Sequence, residues 1–263
     1  MQQQGFAVQL RGWRRRRGWS QLEFSGRAGI SQRHLAFLEL ERASPSRDMV
    51  ARLATALDLP LRQQNALLLA AGFAPIWRES DLTAPELGAV RDGLNYMLAQ
   101  QEPYPAVVVD RQWNLLKAND GAVRLIEFLV GPVSADARIN LADALVAPDV
   151  LRPYLTNWHD VARYFIRSVE ADAAADVTGA TATLLERLLN YDGVQAVLKA
   201  STLHVPTTPI LPMQFQKGAV TLNLFTTLAT LGTPQNVTLQ ELRIENFFPL
   251  DHATGATLRD WVR

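Results

Sequence analysis

The chain has 263 residues, with 26 Lys and Arg against 26 Asp and Glu, four His and no Cys, so its formal net charge is zero. The lack of cysteine excludes a disulfide framework, a thiolate zinc site and a cysteine nucleophile. No apolar run approaches the roughly twenty residues of a membrane span and the N-terminus lacks the apolar core of a signal peptide, so a cytoplasmic protein is expected, long enough for two domains. The neutral total hides an asymmetry: residues 1–80 hold twelve Arg, no Lys and six acidic residues, a net of +6, while residues 81–263 hold 14 basic and 20 acidic residues, a net of −6.

The first predicted element is a helix with Phe6, Leu10 and Trp13 on its apolar face, ending in the run Arg14 to Arg17. Such a run suits neutralisation of DNA phosphates, which supplies much of the affinity of a DNA-binder. Arg15 and Arg17 are the backbone contacts expected from it; a solvated helix end is the blander reading.

Ser20 to Arg47, SQLEFSGRAGISQRHLAFLELERASPSR, is the most informative stretch. It spaces two short helices around a glycine turn as a helix-turn-helix requires. Phe24, Ala28, Ile30, Leu35 and Leu38 fall where the pair must pack together, Ser25 is small where the helices approach, and Gly29 sits where the turn wants a positive φ. Ser20 and Ser31 each precede a helical run and can cap it. The second helix, Gln32 to about Leu40, then presents Gln32, Arg33 and His34 at its exposed start, where such motifs face base edges. Gln pairs bidentately with adenine and Arg with guanine, so Gln32 and Arg33 are the expected sequence readers. Gln21, opening the first helix, and Ser31 are expected at the phosphates, as are Arg42 and Arg47, which flank the following loop. A second capped helix from Ser46, apolar at Met49, Val50, Leu53 and Leu57, and another opened by Pro60 and stopped at Gly72 complete five helices in residues 1–75.

Residues 76–103 read as a connector with one helix, Pro85 to Gln101, whose apolar face is Leu87, Val90, Leu94, Met97 and Leu98. From residue 104 to 263 the period changes. Ala106 to Asp110 and Trp113 to Ala118 read as strands joined by Arg111-Gln112, Asn119 caps a helix through Leu129, and Ile139 to about Leu198 is largely helical. Strand character returns at Leu203–Thr208, Pro209–Gln216, Val220–Leu231 and Val237–Phe247, and a helix over Ala253–Val262 closes the chain. The expected class is α+β: an all-α head followed by a mixed or antiparallel sheet with helices on it.

No reaction chemistry is visible in the second domain. His34, His159, His204 and His252 are scattered, so no metal site is expected, and there is neither a phosphate-binding loop nor a nucleophile elbow; no cofactor and no enzymatic activity are expected. What the domain offers is apolar surface, including Tyr154, Trp158, Val161, Phe165 and Val169 at helical spacing. Trp113, Trp158, Phe165, Leu224 and Phe225 are the residues expected to line a pocket for a small apolar ligand, with at most one of the last two correct because neighbours on a strand face opposite ways. The alternatives are ordinary core, a protein-interaction module without a small ligand, and, third, an enzyme appended to a DNA-binding head.

The stretches SQLEF, AGISQRHLAFLE, PSRDMVARLATALDLPLRQQNALLLAAGFAP, EPYPAVVVDRQWNLLKAN, the pair Asn157-Trp158 and FTTLATLGTPQNVTLQELRIENFFP resemble the MmyB-like regulators, an Xre-type helix-turn-helix group, over nearly the whole chain. The resemblance implies a DNA-binding domain followed by a PAS-like module, in which at least one relative holds a fatty acid. Together with the need of a short recognition helix to read two half-sites, it leads to the expectation of a homodimeric one-component transcription regulator. Two departures stand out. Glu41 replaces the glycine usual after the recognition helix and Ser44 an arginine of the loop, which puts the loop geometry in doubt; Gly26 is a further local cost inside a helix.

Overall fold

In the computed structural model, residues 5–134, 137–176, 179–200 and 209–262 are described. Five helices come first: α1 (Phe6–Arg16), α2 (Gln21–Ala28), α3 (Gln32–Glu39), α4 (Arg47–Ala56) and α5 (Leu61–Ala70). The hydroxyls of Ser20, Ser31 and Ser46 accept from the N–H groups of Glu23, His34 and Met49 at 3.1, 3.1 and 3.2 Å, each cap contributing about 1 kcal/mol. Gly29 ends α2 at φ 63°. Phe24, Leu35, Leu38, Leu53 and Leu67 are almost wholly buried, at about 1.5–3 kcal/mol each, and they are the stripe positions of their helices.

The chain after α3 keeps the turn a glycine would make. Glu41 sits at φ 59°, and the Arg42 N–H donates to the Phe37 carbonyl at 2.9 Å. The loop geometry therefore survives the departure, with a side chain held in a conformation that costs about 1–2 kcal/mol without glycine.

The remaining described elements are α6 (Gly88–Gln100) after a 3-10 turn at Pro85–Leu87, β1 (Ala106–Val109), β2 (Leu115–Ala118), α7 (Asp120–Val130), α8 (Leu141–Val146), α9 (Trp158–Ala175), α10 (Ala180–Leu189), α11 (Val194–Lys199), β3 (Met213–Lys217), β4 (Val220–Ala229), α12 (Val237–Glu241), β5 (Arg243–Pro249) and α13 (His252–Asp260). The sheet has the order β2-β1-β5-β4-β3 with antiparallel neighbours. The protein is thus α+β, a helical head followed by an antiparallel sheet bearing helices. The uninterrupted AVVV of β1 is buried at every position, as expected for a strand covered on both faces.

The two-residue hairpin expected at Arg111-Gln112 is a wider turn. Asp110 accepts from the N–H groups of Gln112 and Asn114 at 2.8 and 2.9 Å, and Trp113 lies in the turn at φ 65° instead of opening the second strand. Asn119 caps α7 as expected, and its buried amide also joins Ala106 N–H and the Tyr104 carbonyl, both at 2.8 Å. Asn119 therefore ties helix to strand. The segment expected as a strand at Leu203–Thr208 lies outside the described residues.

The chain forms two compact units, the first running to Ser80 and taking in Thr233–Gln240, the second holding Asp81–Gly232 and the residues from Glu241. The sequence division at residue 75 is thus shifted, and α6 belongs to the second unit. Val237 also starts a helical turn where sequence expected strand. Within the first unit, α5 has no cap of its own at Pro60; the Leu61 N–H donates instead to Gln240 Oε1 at 2.7 Å. Val237 N–H donates to the Arg78 carbonyl at 2.8 Å, and Asn236 and Thr238 bond Ser80 at 3.1 and 2.7 Å.

Candidate functional site

In the head, α3 starts at Gln32, and both Gln32 and Arg33 are exposed while His34 is half-buried. The Arg33 guanidinium lies 5.3 Å from the Phe37 ring centroid, a contact that holds it along the helix surface without burying it. The Ser31 hydroxyl accepts from the His34 N–H as a cap, which leaves its own O–H free to donate to a phosphate. Arg15, Arg42 and Arg47 are exposed. The helix start, the arginine run and the following loop thus present the chemistry expected of a major-groove reader.

Two expected contacts have other work. Arg17 donates to the Leu57 and Asp58 carbonyls at 2.7 and 2.9 Å, so it closes the C-terminal end of α4, whose carbonyls lack helical partners. Gln21 donates its amide to Glu39 Oε2 at 2.8 Å, which leaves the N–H groups at the start of α2, and not this side chain, for a phosphate. Both side chains are thus also engaged within the head.

Sequence reasoning also missed the centre of that network. Glu39 is 2 % exposed and receives a bidentate pair from Arg14, Nε to Oε1 at 2.6 Å and Nη2 to Oε2 at 2.9 Å. Burial pushes the Glu39 carboxyl up, but the hydrogen bonds from Arg14 and Gln21 and the charges of Arg14 and Arg11 outweigh it and hold the group below the usual carboxylate range. Arg14 is consequently a structural residue within the basic run, and the available signal was a lone Glu among the apolar positions of α3.

The second unit holds a cavity of about 650 Å3, within the roughly 300–1,000 Å3 of small-molecule pockets. The sheet supplies Val107, Thr226, Leu228, Arg243, Glu245 and Phe247; α7 supplies Ala122, Leu125, Ile126 and Leu129; α9 supplies Val161, Tyr164, Phe165, Ser168 and Asp172. Strand period 2 and helix steps of three and four explain these sets. Tyr164, Ile210 and Leu228, at 70, 42 and 55 % exposure, lie where the cavity meets solvent.

Of the expected pocket residues, Trp113 and Phe165 line the cavity, with ring centroids 4.6 Å apart. The positive φ of Trp113 places its ring there. The other three do not line it. Trp158 is buried with its Nε1–H on the Leu145 carbonyl at 3.0 Å and Arg152 3.6 Å above its ring. Leu224 is fully buried in the packed core, on the cavity face of β4 but beyond the cavity, and Phe225 faces the other way, stacked 5.4 Å from Phe248.

Arg243 and Glu245 were missed because LRIENFF reads as a strand with its polar face in water. Here that face looks into the cavity. Arg243 is hydrogen-bonded to Asp172 of α9 and lies 5.4 Å from the Trp113 ring centroid. Among the described residues no cluster of His, Cys, Asp and Glu could hold a metal ion, and no helix is long and apolar enough to cross a membrane.

Comparison with known proteins matches residues 10–64 to a helix-turn-helix family and residues 90–260 to a family described as MmyB-like transcription regulator ligand binding domain. No curated protein matches the chain. Among solved structures, the chain is similar to an RNA-binding Light-Oxygen-Voltage receptor at 14 % identity and a TM-score of 0.31, over 90 % of this chain and 53 % of the other, so it spans about half of that receptor's length.

Proposed function

Because the chain belongs to the MmyB-like transcription regulators, with a helix-turn-helix head and a ligand-binding domain, we propose that it is a non-catalytic, cytoplasmic one-component regulator whose second domain senses a small, mainly apolar molecule such as a fatty acid. The observation that carries this reading is the cavity of about 650 Å3, apolar along α7 and polar only near Asp172, Arg243 and Glu245. An interaction module has no need of such a space, and a void of this size lined by Leu, Ile and Phe is costly unless something fills it.

In this reading Gln32 and Arg33 read bases, with His34 beside them, while Arg15, Arg42 and Arg47 hold phosphates. The regulator acts as a homodimer, since one short helix reads only a few base pairs and two-fold pairing doubles the site. Ligand binding then shifts operator affinity by preferring one dimer arrangement.

The test is organic extraction of the purified protein followed by mass spectrometry, with an Ala122→Phe variant that fills the cavity alongside. A stoichiometric amphiphile in the native protein, absent from the variant, supports the reading. If both samples carry the same molecule in the same amount, the cavity is not its site; if neither binds an added long-chain amphiphile, the sensor reading is overturned.

A further inference from the structure

Polarity is graded along the cavity by two elements that run past each other. On β5 the inward residues are Arg243, Glu245 and then Phe247; on α9 they are Asp172, Ser168 and then Phe165 and Val161. Because Asp172 bonds Arg243, the polar ends of the two series meet. The cavity therefore has the shape of an amphiphile, with a head end and a tail end.

The charges at the head end do not balance. Among the described residues Arg243 is the single cation lining the cavity, and it is already held by Asp172 and by the Trp113 ring. Glu245, two residues along the same strand face, has Leu228 of β4 as its register partner, with Thr226 beside it on the same cavity-lining face. Glu245 lines the cavity, and burial pushes its carboxyl up to about 7. From β1 it faces Val107 and from β4 Thr226 and Leu228; among the described residues the other charged or titratable lining groups are Arg243, Asp172 and Tyr164. One committed cation thus stands against two carboxylates, and a third beside Glu245 would meet like charge in a desolvated site.

We propose that the end of the cavity formed by Arg243, Asp172 and Glu245 is a headgroup subsite that selects amphiphiles whose head donates a hydrogen bond to Glu245. It takes a long-chain alcohol as it is and a long-chain carboxylic acid only with one proton shared between the two carboxyls. The proposal rests on the sensor reading above and adds the chemistry of the head. Above the titration of Glu245, a bound carboxylate must bring a proton from solution, so its affinity falls by up to about tenfold per pH unit; below it, Glu245 already holds that proton and the affinity is level. An alcohol, with no charge to lose, binds with little pH dependence.

The experiment is calorimetric titration of the full chain with decanoate and with decanol from pH 6 to pH 9. Expected are decanol binding that stays level and decanoate binding that weakens more than tenfold across the range. Glu245→Gln removes the competing charge and supplies an amide donor, so its decanoate binding becomes level and exceeds that of the native protein at pH 9 at least tenfold. Decanoate binding that is level in the native protein, or that falls equally in Glu245→Gln, overturns the head assignment while decanol binding upholds the sensor reading. Binding of neither probe overturns both.

Discussion

Replacing Arg14 by Met removes the partner of a carboxylate that is 2 % exposed while keeping most of the side-chain volume. Two charge-assisted hydrogen bonds are lost, at 2.6 and 2.9 Å, and Glu39 keeps only the Gln21 amide at 2.8 Å. Breaking a buried pair from one side costs about 3–5 kcal/mol, most of it from the charge left behind, so the head should unfold at clearly lower urea at pH 7. The pH dependence has a defined sign. In the native head the Glu39 carboxyl lies below its unfolded value, so its contribution is full above that unfolded value and is lost as pH falls through the folded one. In Arg14→Met burial is no longer outweighed, the carboxyl rises, and protonation relieves it: the deficit relative to native should shrink from pH 7 to pH 5. The double variant Arg14→Met with Glu39→Leu should recover most of the loss. Urea denaturation followed by tryptophan fluorescence reads all three, since Trp13 and Trp19 lie in the head. A deficit below about 1 kcal/mol, or one that grows toward pH 5, would refute the assignment of Glu39 as a buried, arginine-held carboxylate.

Arg33→Ala should weaken operator binding by about 1–3 kcal/mol and relax one base position, whereas Arg15→Ala should weaken all sequences alike and reduce the salt slope by about one; fluorescence anisotropy on specific and random duplexes separates them, and equal effects on both duplexes would sink the role given to Arg33. Glu41→Gly should stabilise the head by about 1–2 kcal/mol, because residue 41 sits at φ 59°, and a drop in urea midpoint would contradict that turn. A Cβ at Gly121 would stand 2.7 Å from the Pro103 carbonyl oxygen, so Gly121→Ala should cost about 1–3 kcal/mol, measured as a lower thermal midpoint of the second domain; no change would mean that α7 approaches the Pro103-Tyr104 backbone less closely.

The head was legible because its signals are local. Ser20, Ser31 and Ser46 mark helix starts within three residues of the groups they cap, and Gly29 marks a turn by its own φ. The pocket was legible only in kind. Trp113 and Phe165 line the cavity, yet Trp158 and Leu224 have the same bulky apolar character and fill core, because which side of a packed layer stays empty depends on contacts between elements far apart in the chain. Arg243 and Glu245 illustrate the converse: an alternating polar face reads as solvated until a helix carrying Asp172 is laid across it. The bonds of Arg14, Arg17 and Gln21 inside the head were not legible for a related reason, since a surface count of cations does not reveal which are already held by Glu39 or by the end of α4.

The eight residues Thr233–Gln240 bear on how this protein can be divided. A head cut out at Ser80 would contain α1 to α5 and still be incomplete, because the acceptor for the first N–H of α5 is a glutamine 179 positions further along the chain. Domain shuffling, limited proteolysis and expression of fragments all treat a linear boundary as a seam. Here the first unit takes in a segment that the chain supplies between β4 and β5, so its boundary is not a single point in the sequence.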